Sequence, residues 1–303
     1  MKRLFVPYVF RFALTALLVL ATVAHAADRV LFEKSSPYNH VIVSEDDQGL
    51  RTLRFERGGA RQSIVRLGDP DYLGFAYTPV AFAGLALAAA EPQRFLVVGL
   101  GGGTMPMFLR RRYPDAMIDA VDIDPDVVYV AKEFFEFRED ERMRSHVADG
   151  RKFIEALKQP YDVIFLDAFG ARNVPPALTT VEFLSAVRRG IKADGVVVGN
   201  IWGSGSNPSY DSMVRTYQEV FDDLYILEVA GTANRLLFAL PRKQPLERED
   251  LAQLARKVGV AKRFPFDLGD IGKHGFQHAA RKMAGERVLR DADSEQPRRA
   301  RTN

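Results

Sequence analysis

The run Arg94-Phe95-Leu96-Val97-Val98-Gly99-Leu100-Gly101-Gly102-Gly103-Thr104 joins a continuous apolar strand to a turn with four glycines in five positions. A strand that is apolar without alternation is buried on both faces, as in a parallel sheet covered by helices. Glycine lets the backbone turn sharply and approach a ligand closely at the N-terminus of the helix that follows, expected over 105–113. The dinucleotide pattern G-x-G-x-x-G requires glycine at 104, where threonine stands, so the nicotinamide pattern is not met.

The same grammar continues downstream. Strands are expected at 116–121, 143–147, 161–166, 195–201, 224–230 and 235–240, and helices at 126–137, 151–158, 180–190, 209–221 and 246–258. Strands alternating with helices predict a doubly wound, Rossmann-like sheet. The last two strands, joined by Gly231-Thr232-Ala233-Asn234, predict an antiparallel hairpin on the sheet edge. Upstream, residues 71–90 are apolar and Ala-rich and predict a buried helix. Residues 29–67 read as short strands separated by Asp46-Asp47-Gln48-Gly49 and Arg57-Gly58-Gly59-Ala60, which predicts a small antiparallel β-domain over 27–70. The Rossmann-like domain is expected over 71–260. A C-terminal extension, 261–303, ends in a charged tail expected to be disordered from about 284.

The chain has 303 residues, a net charge of +3 and no cysteine. Disulfides, thiol nucleophiles and cysteine-ligated metals are therefore excluded. The excess charge sits in 1–26 and 281–303, each +3, while 27–280 sums to −3. That body offers no basic face for nucleic acid. Lys2, Arg3 and Arg11, then an apolar run to Val23, then Ala24-His25-Ala26 have the form of a signal peptide, 1–26, cleaved after Ala26. This implies export, to the periplasm, with no stable membrane span after cleavage. An uncleaved anchor is the alternative. His274 and His278 lie four apart without a third ligand, so no metal site is expected.

Chemistry-bearing residues fall at the ends of the expected strands. Ligands of open α/β sheets bind beyond the carboxyl ends of the strands, which would bring Gly101, Asp122, Asp149 and Asp167 to one rim. Asp122 ends the second strand in Val121-Asp122-Ile123-Asp124 and can accept both hydroxyls of a ribose. Asp124 before Pro125 suits a helix N-cap. Asp149-Gly150 suits either contact with an adenine ring or an N-cap. Asp167 can take a proton from an attacking amine, hold a cation, or be an ordinary loop aspartate. Trp202 can wall a pocket or simply pack. His40 and His146 read as structural.

Together these residues resemble the spermidine synthase family of polyamine aminopropyltransferases, over about residues 32–245. Val98-Gly99-Leu100-Gly101-Gly102-Gly103 resembles the family's glycine motif, Val121-Asp122-Ile123-Asp124 its ribose acid, Ala148-Asp149-Gly150 its adenine-contacting pair, and Tyr161 to Asp167 the strand that ends in its catalytic aspartate. Ser36-Pro37-Tyr38-Asn39 resembles a motif near the family's N-terminus. The resemblance implies a class I methyltransferase-like Rossmann fold and no tightly bound cofactor. It implies decarboxylated S-adenosylmethionine, or S-adenosylmethionine, as co-substrate and an amine as acceptor. It assigns Asn39, Gly99, Gly101, Gly103, Asp122, Asp149 and Gly150 to the nucleoside donor, Tyr77 and Asp167 to the amine, and Asp167 to catalysis. Homo-oligomers occur in that family.

The family pattern is not complete. Its amine-binding aspartate after the glycines is Thr104 here, its Asp-x-x-Asp starting at Asp167 ends at Gly170, and its Tyr-His-Glu reads Tyr77-Thr78-Pro79. Its Tyr-Gln is Tyr38-Asn39. A di-cation would lose charge-assisted hydrogen bonds of about 1.5–3 kcal/mol each. The expectation is an aminopropyltransferase with a divergent acceptor site. The alternatives are a methyltransferase and an exported scaffold without catalysis.

Overall fold

The computed structural model describes residues 28–171, 173–279 and 281–294. The expected signal peptide, 1–26, and the chain from 295 lie outside them. Strands β1 (Arg29–Ser35), β2 (His40–Glu45), β3 (Leu50–Arg54) and β4 (Arg61–Arg66) form an antiparallel meander in chain order. Its second turn, between β2 and β3, is fixed by Asp46, whose Oδ1 accepts the N–H groups of Gln48 and Leu50 at 2.9 Å each.

The rest of the chain alternates. It runs α1 (Tyr77–Ala83), β5 (Arg94–Val98), α2 (Thr104–Arg112), β6 (Met117–Asp122), α3 (Pro125–Phe134), β7 (Met143–Val147), α4 (Gly150–Glu155) and β8 (Tyr161–Leu166). It continues through α5 (Val181–Gly190), β9 (Ile191–Trp202), α6 (Tyr210–Val220), β10 (Asp223–Glu228), β11 (Asn234–Leu240), α7 (Arg248–Ala261), β12 (Gly275–His278) and α8 (Asp291–Ser294). The strands form one sheet in the order β12-β10-β11-β9-β8-β5-β6-β7. From β9 to β7 the pairing is parallel, and β11, β10 and β12 are antiparallel. The chain leaves β5 to one side for β6 and β7, then returns to its other side for β8 and β9. That reversal opens a crevice at the ends of β5 and β8.

Side chains of β5 alternate between two cores. Phe95 and Val97 join Phe82, Phe108 and Leu251 on one face, and Leu96 and Val98 join Phe183, Leu184 and Val187 on the other. Phe82 and Phe108 stack with centroids 5.0 Å apart. Truncating Phe82 to alanine would cost about 3–5 kcal/mol. The small sheet has no core of its own. Its Val41, Val43, Leu53 and Phe55 pack on Val127, Val130 and Phe135 from α3 and just beyond it.

Three expectations are corrected. The helix expected over 71–90 is confined to α1 and a 3₁₀ turn, Gly84–Leu87. Before it, Gly74 presses so closely on Ile64 of β4 that a Cβ there would overlap it, which holds the segment in an irregular path. The β10–β11 hairpin is not the sheet edge, because β12 pairs with β10 outside it. The tail expected to be disordered from about 284 is docked as far as the description extends. Leu289 is buried, and Arg151 grips Asp291 through two bonds of 2.7 Å. Pairing of opposite charges holds a segment whose composition alone reads as solvated.

Candidate functional site

The turn after β5 takes left-handed backbone at Gly99 (φ 98°), Gly101 (φ 53°) and Gly103 (φ 76°). Only glycine enters that region freely. At Gly99 a Cβ would also overlap the Asp167 carbonyl, so glycine there lets the ends of β5 and β8 meet. The loop is held from two sides. The N–H of Leu100 donates to Asp122 Oδ2 at 2.9 Å, and the N–H of Gly102 donates to Ser63 Oγ of β4 at 2.7 Å.

These residues border a cavity of about 450 Å³, a size typical of small-molecule sites. Asp122, Asp149, Gly150 and Asp167 all line it, with Gly99, Gly101 and Asn39. Gly103 does not line it and instead precedes α2 as its left-handed N-cap. The crevice therefore gathers the expected site residues except Gly103, whose part is to turn the chain.

Asp122 sits at the end of β6. Its Oδ1 accepts the N–H of Asp124 at 3.0 Å. A carboxylate has about four lone-pair sites, so each oxygen keeps capacity for a ligand hydroxyl. Burial pushes its carboxyl up to about 6, opposed by the N–H groups of Asp124 and Leu100, which favour the charged form. Asp149 is both an N-cap and a cavity residue. Its Oδ1 accepts the N–H groups of Arg151 at 2.8 Å and Lys152 at 3.2 Å, leaving Oδ2 without a protein donor among the described residues. Gly150 lies so close to Val98 that a Cβ would overlap it.

Asn39 reaches the wall from the small sheet. Its Nδ2 donates to Asp124 Oδ2 at 3.0 Å, beside the Ser36 hydroxyl at 2.5 Å on the same oxygen. Asp124 caps α3 through Oδ1, as its place before Pro125 suggests. The Ser36–Asn39 turn thus clips the small sheet to the start of α3, and the Asn39 side chain keeps its Oδ1 and a second Nδ2–H for a ligand.

Asp167 follows β8 and occupies the middle of the crevice. The Tyr77 hydroxyl donates to its Oδ2 at 2.9 Å and Asn200 Nδ2 donates to its Oδ1 at 2.8 Å. Asn200 in turn accepts from Asn234 Nδ2 at 2.9 Å. Burial drives the Asp167 carboxyl up to about 6, against the two donors. Burial and the charge of Asp167 hold the Tyr77 phenol well above its ordinary value, so it stays a donor. The arrangement is a fixed carboxylate able to accept a proton from a group delivered into the crevice.

Sequence reasoning missed Ser63, Asn200 and Asn234. Asn200 carries a signal, a polar residue closing the apolar run Val196-Val197-Val198. Ser63 carries none, since its role follows from a contact between residues 39 apart in sequence. Trp202 lines the cavity, its ring 5.4 Å from that of Phe169. The four described histidines are structural. His274 accepts from the Ala230 N–H at 3.1 Å, His278 pairs with Asp223 at 2.6 Å, His146 with Asp119 at 2.7 Å and His40 with Glu33 at 2.7 Å. Among the described residues no cluster of three or more ligating side chains could hold a metal, and no helix is long and apolar enough to cross a membrane.

A model of the spermine/spermidine synthase domain matches residues 76–204, the span from α1 to the turn after β9. A polyamine aminopropyltransferase from Vibrio vulnificus is 34% identical over 254 residues, covering 80% of this chain and 83% of that protein. The chain belongs to the spermine/spermidine synthase family. A probable spermidine synthase from Corynebacterium glutamicum shares the fold, with a TM-score of 0.70, 21% identity, and coverage of 86% of this chain and 96% of that one. The family's kinship with methyltransferases is visible too. The human methyltransferase-like protein 13, solved in complex with SAH, aligns with a TM-score of 0.57 at 30% identity, over 63% of this chain and 94% of that one.

Proposed function

We propose that this family member transfers an aminopropyl group from decarboxylated S-adenosylmethionine to an amine, with Asp167 as the base. The observation that carries the reading is the position of Asp167. It lies between the glycine loop with Asp122 on one side and Tyr77 with Asn200 on the other. The donor's ribose would rest on Asp122, its adenine at Asp149 and Gly150, and its sulfonium near Gly99 and Asp167. An ammonium is not a nucleophile, so transfer requires a proton acceptor held at the amine and an in-line approach fixed by the walls. Apolar surroundings lower the pKa of an incoming ammonium, and the raised pKa of Asp167 brings base and acid closer together.

The test is turnover of an Asp167→Asn protein. Loss of amine-dependent methylthioadenosine release with donor binding kept is the expected result, and full turnover would contradict the role. A second reading, methyl transfer from S-adenosylmethionine, is favoured by the likeness to methyltransferase-like protein 13. Supplying each donor and weighing the acceptor product separates the two. We also propose export through residues 1–26. Fractionation that recovers the chain beginning at Ala27 outside the cytoplasm supports this, and an intact N-terminus in the cytoplasm contradicts it.

A further inference from the structure

We infer that the acceptor is a primary monoamine with an apolar or aromatic body, and not a diamine or polyamine. The inference rests on the transferase reading above and specifies the substrate class of that same site. The sheet order divides the cavity. Asp122 at the end of β6 and Asp149 after β7 lie to one side of β5, and Asn200, Trp202 and Asn234 lie beyond β8 on β9 and β11. Asp167 follows β8 between them. Among the described residues its carboxylate is the only one in the cavity lining apart from Asp122 and Asp149, which stand on the nucleoside side.

The amine side is therefore supplied with one negative charge. Its remaining polar groups are neutral, with Asn234 donating to Asn200 and Asn200 donating to Asp167. Its walls are rings, Phe75 stacked on Tyr77 at 5.5 Å and Phe169 beside Trp202 at 5.4 Å. Glu228, at the loop end of the β10–β11 hairpin near Asn234, is paired with Arg235 at 3.3 Å and does not line the cavity. Among the described residues the lining includes one cation, Arg61 of β4. One ammonium finds a carboxylate here. A second would lose its hydration against rings and amides with no carboxylate to receive it. A ring face attracts a cation, but more weakly than a carboxylate hydrogen-bonded to it. An apolar body gains from the same rings.

The step balances without any further reactant. The acceptor ammonium gives one proton to Asp167, and the freed lone pair forms a bond to the donor carbon next to the sulfonium. The carbon–sulfur bond breaks with its electron pair left on sulfur. Neutral methylthioadenosine leaves, and the acceptor becomes a secondary ammonium. Asp167 then releases its proton to solvent.

The test has two stages on the purified protein. Calorimetry with methylthioadenosine comes first. Binding shows the donor half to be formed, and its absence overturns the transferase reading and this inference together. With methylthioadenosine saturating, hexylamine, phenethylamine, putrescine and spermidine are then compared by affinity, and by the rate at which each releases methylthioadenosine from decarboxylated S-adenosylmethionine. The expected result is a preference of about tenfold or more for phenethylamine over putrescine in kcat/KM, equivalent to about 1.4 kcal/mol. Putrescine or spermidine equal to or better than both monoamines, with methylthioadenosine still bound, would overturn the inference and leave the transferase reading standing. Failure of all four amines to bind would overturn it as well. In a Trp202→Ala protein that still binds methylthioadenosine, the preference should shrink to about threefold or less. An unchanged preference would remove the aromatic wall from the account.

Discussion

The two sides of the crevice are built from different materials. On the side of β6 and β7 the lining is backbone and carboxylate. Gly99 and Gly101 expose main chain, and Asp122 and Asp149 each satisfy local N–H groups while still facing the cavity. On the side of β9 and β11 the lining is rings and amides, organised around Asp167 through Tyr77, Asn200 and Asn234. The first side presents fixed donors and acceptors to the cavity. The second surrounds the Asp167 carboxylate with rings and amides. Under the proposed function, the difference teaches that parts of one site can diverge independently, because the residues proposed to hold the nucleoside are anchored to the sheet and to β4, while the proposed amine recognition depends on a few side chains around one carboxylate.

Replacing Asp167 with asparagine should give the largest effect. Turnover is expected to fall by about 10² to 10⁴, the usual contribution of a positioned general base. Methylthioadenosine affinity should stay within about threefold, since that ligand belongs to the other side. Steady-state rates and calorimetry on the same protein check both halves of the statement. In the unaltered protein, kcat/KM should fall about tenfold per pH unit below about pH 6, where the Asp167 carboxylate takes up its proton.

The next effect has the opposite sign. The folded-state pKa of Asp167, about 6, lies above the ordinary value of 3.8, so the folded state binds the proton more tightly. Its contribution to stability is complete below about pH 4 and is lost as pH rises through 6, at a cost of at most about 3 kcal/mol. The Asp167→Asn protein should therefore melt above the unaltered one at pH 8 and together with it at pH 4. A lower Tm for the variant at pH 8 would contradict the buried-charge account.

Asp122→Asn sharpens the comparison from the nucleoside side. Weakening hydrogen bonds to a charged acceptor costs about 1.5–3 kcal/mol, so methylthioadenosine affinity should fall about 10- to 100-fold. The order of preference among amines should not change. Ser63→Ala is the smallest. It leaves the Gly102 N–H without its partner, at about 1 kcal/mol, and should lower Tm by about 2 °C.

The parallel sheet was legible because its strands are apolar runs closed by Gly or Asp, as in Arg94 to Val98 and Tyr161 to Leu166. Those strand ends also placed Asp122, Asp149 and Asp167 on one rim. Asp149 could not be divided between cap and ligand residue from sequence, and in the structure it serves as the cap while lining the cavity. What escaped the sequence is tertiary in origin. Ser63 supports the glycine loop only because β4 folds over it. Gly74 breaks the expected helix only because Ile64 lies against it, and β12 covers the hairpin through pairing across a long connection. The tail to residue 294 looked solvated because its partners, Arg151 and Thr180, lie more than a hundred residues earlier.

The most direct test of the central claim is a calorimetric titration of the purified protein with methylthioadenosine, repeated on the Asp122→Asn and Asp167→Asn proteins. The account predicts saturable binding at one site, weakened about 10- to 100-fold by the first substitution and left within about threefold by the second. Absence of binding, or equal losses from both substitutions, would contradict a crevice divided into a nucleoside side and an amine side.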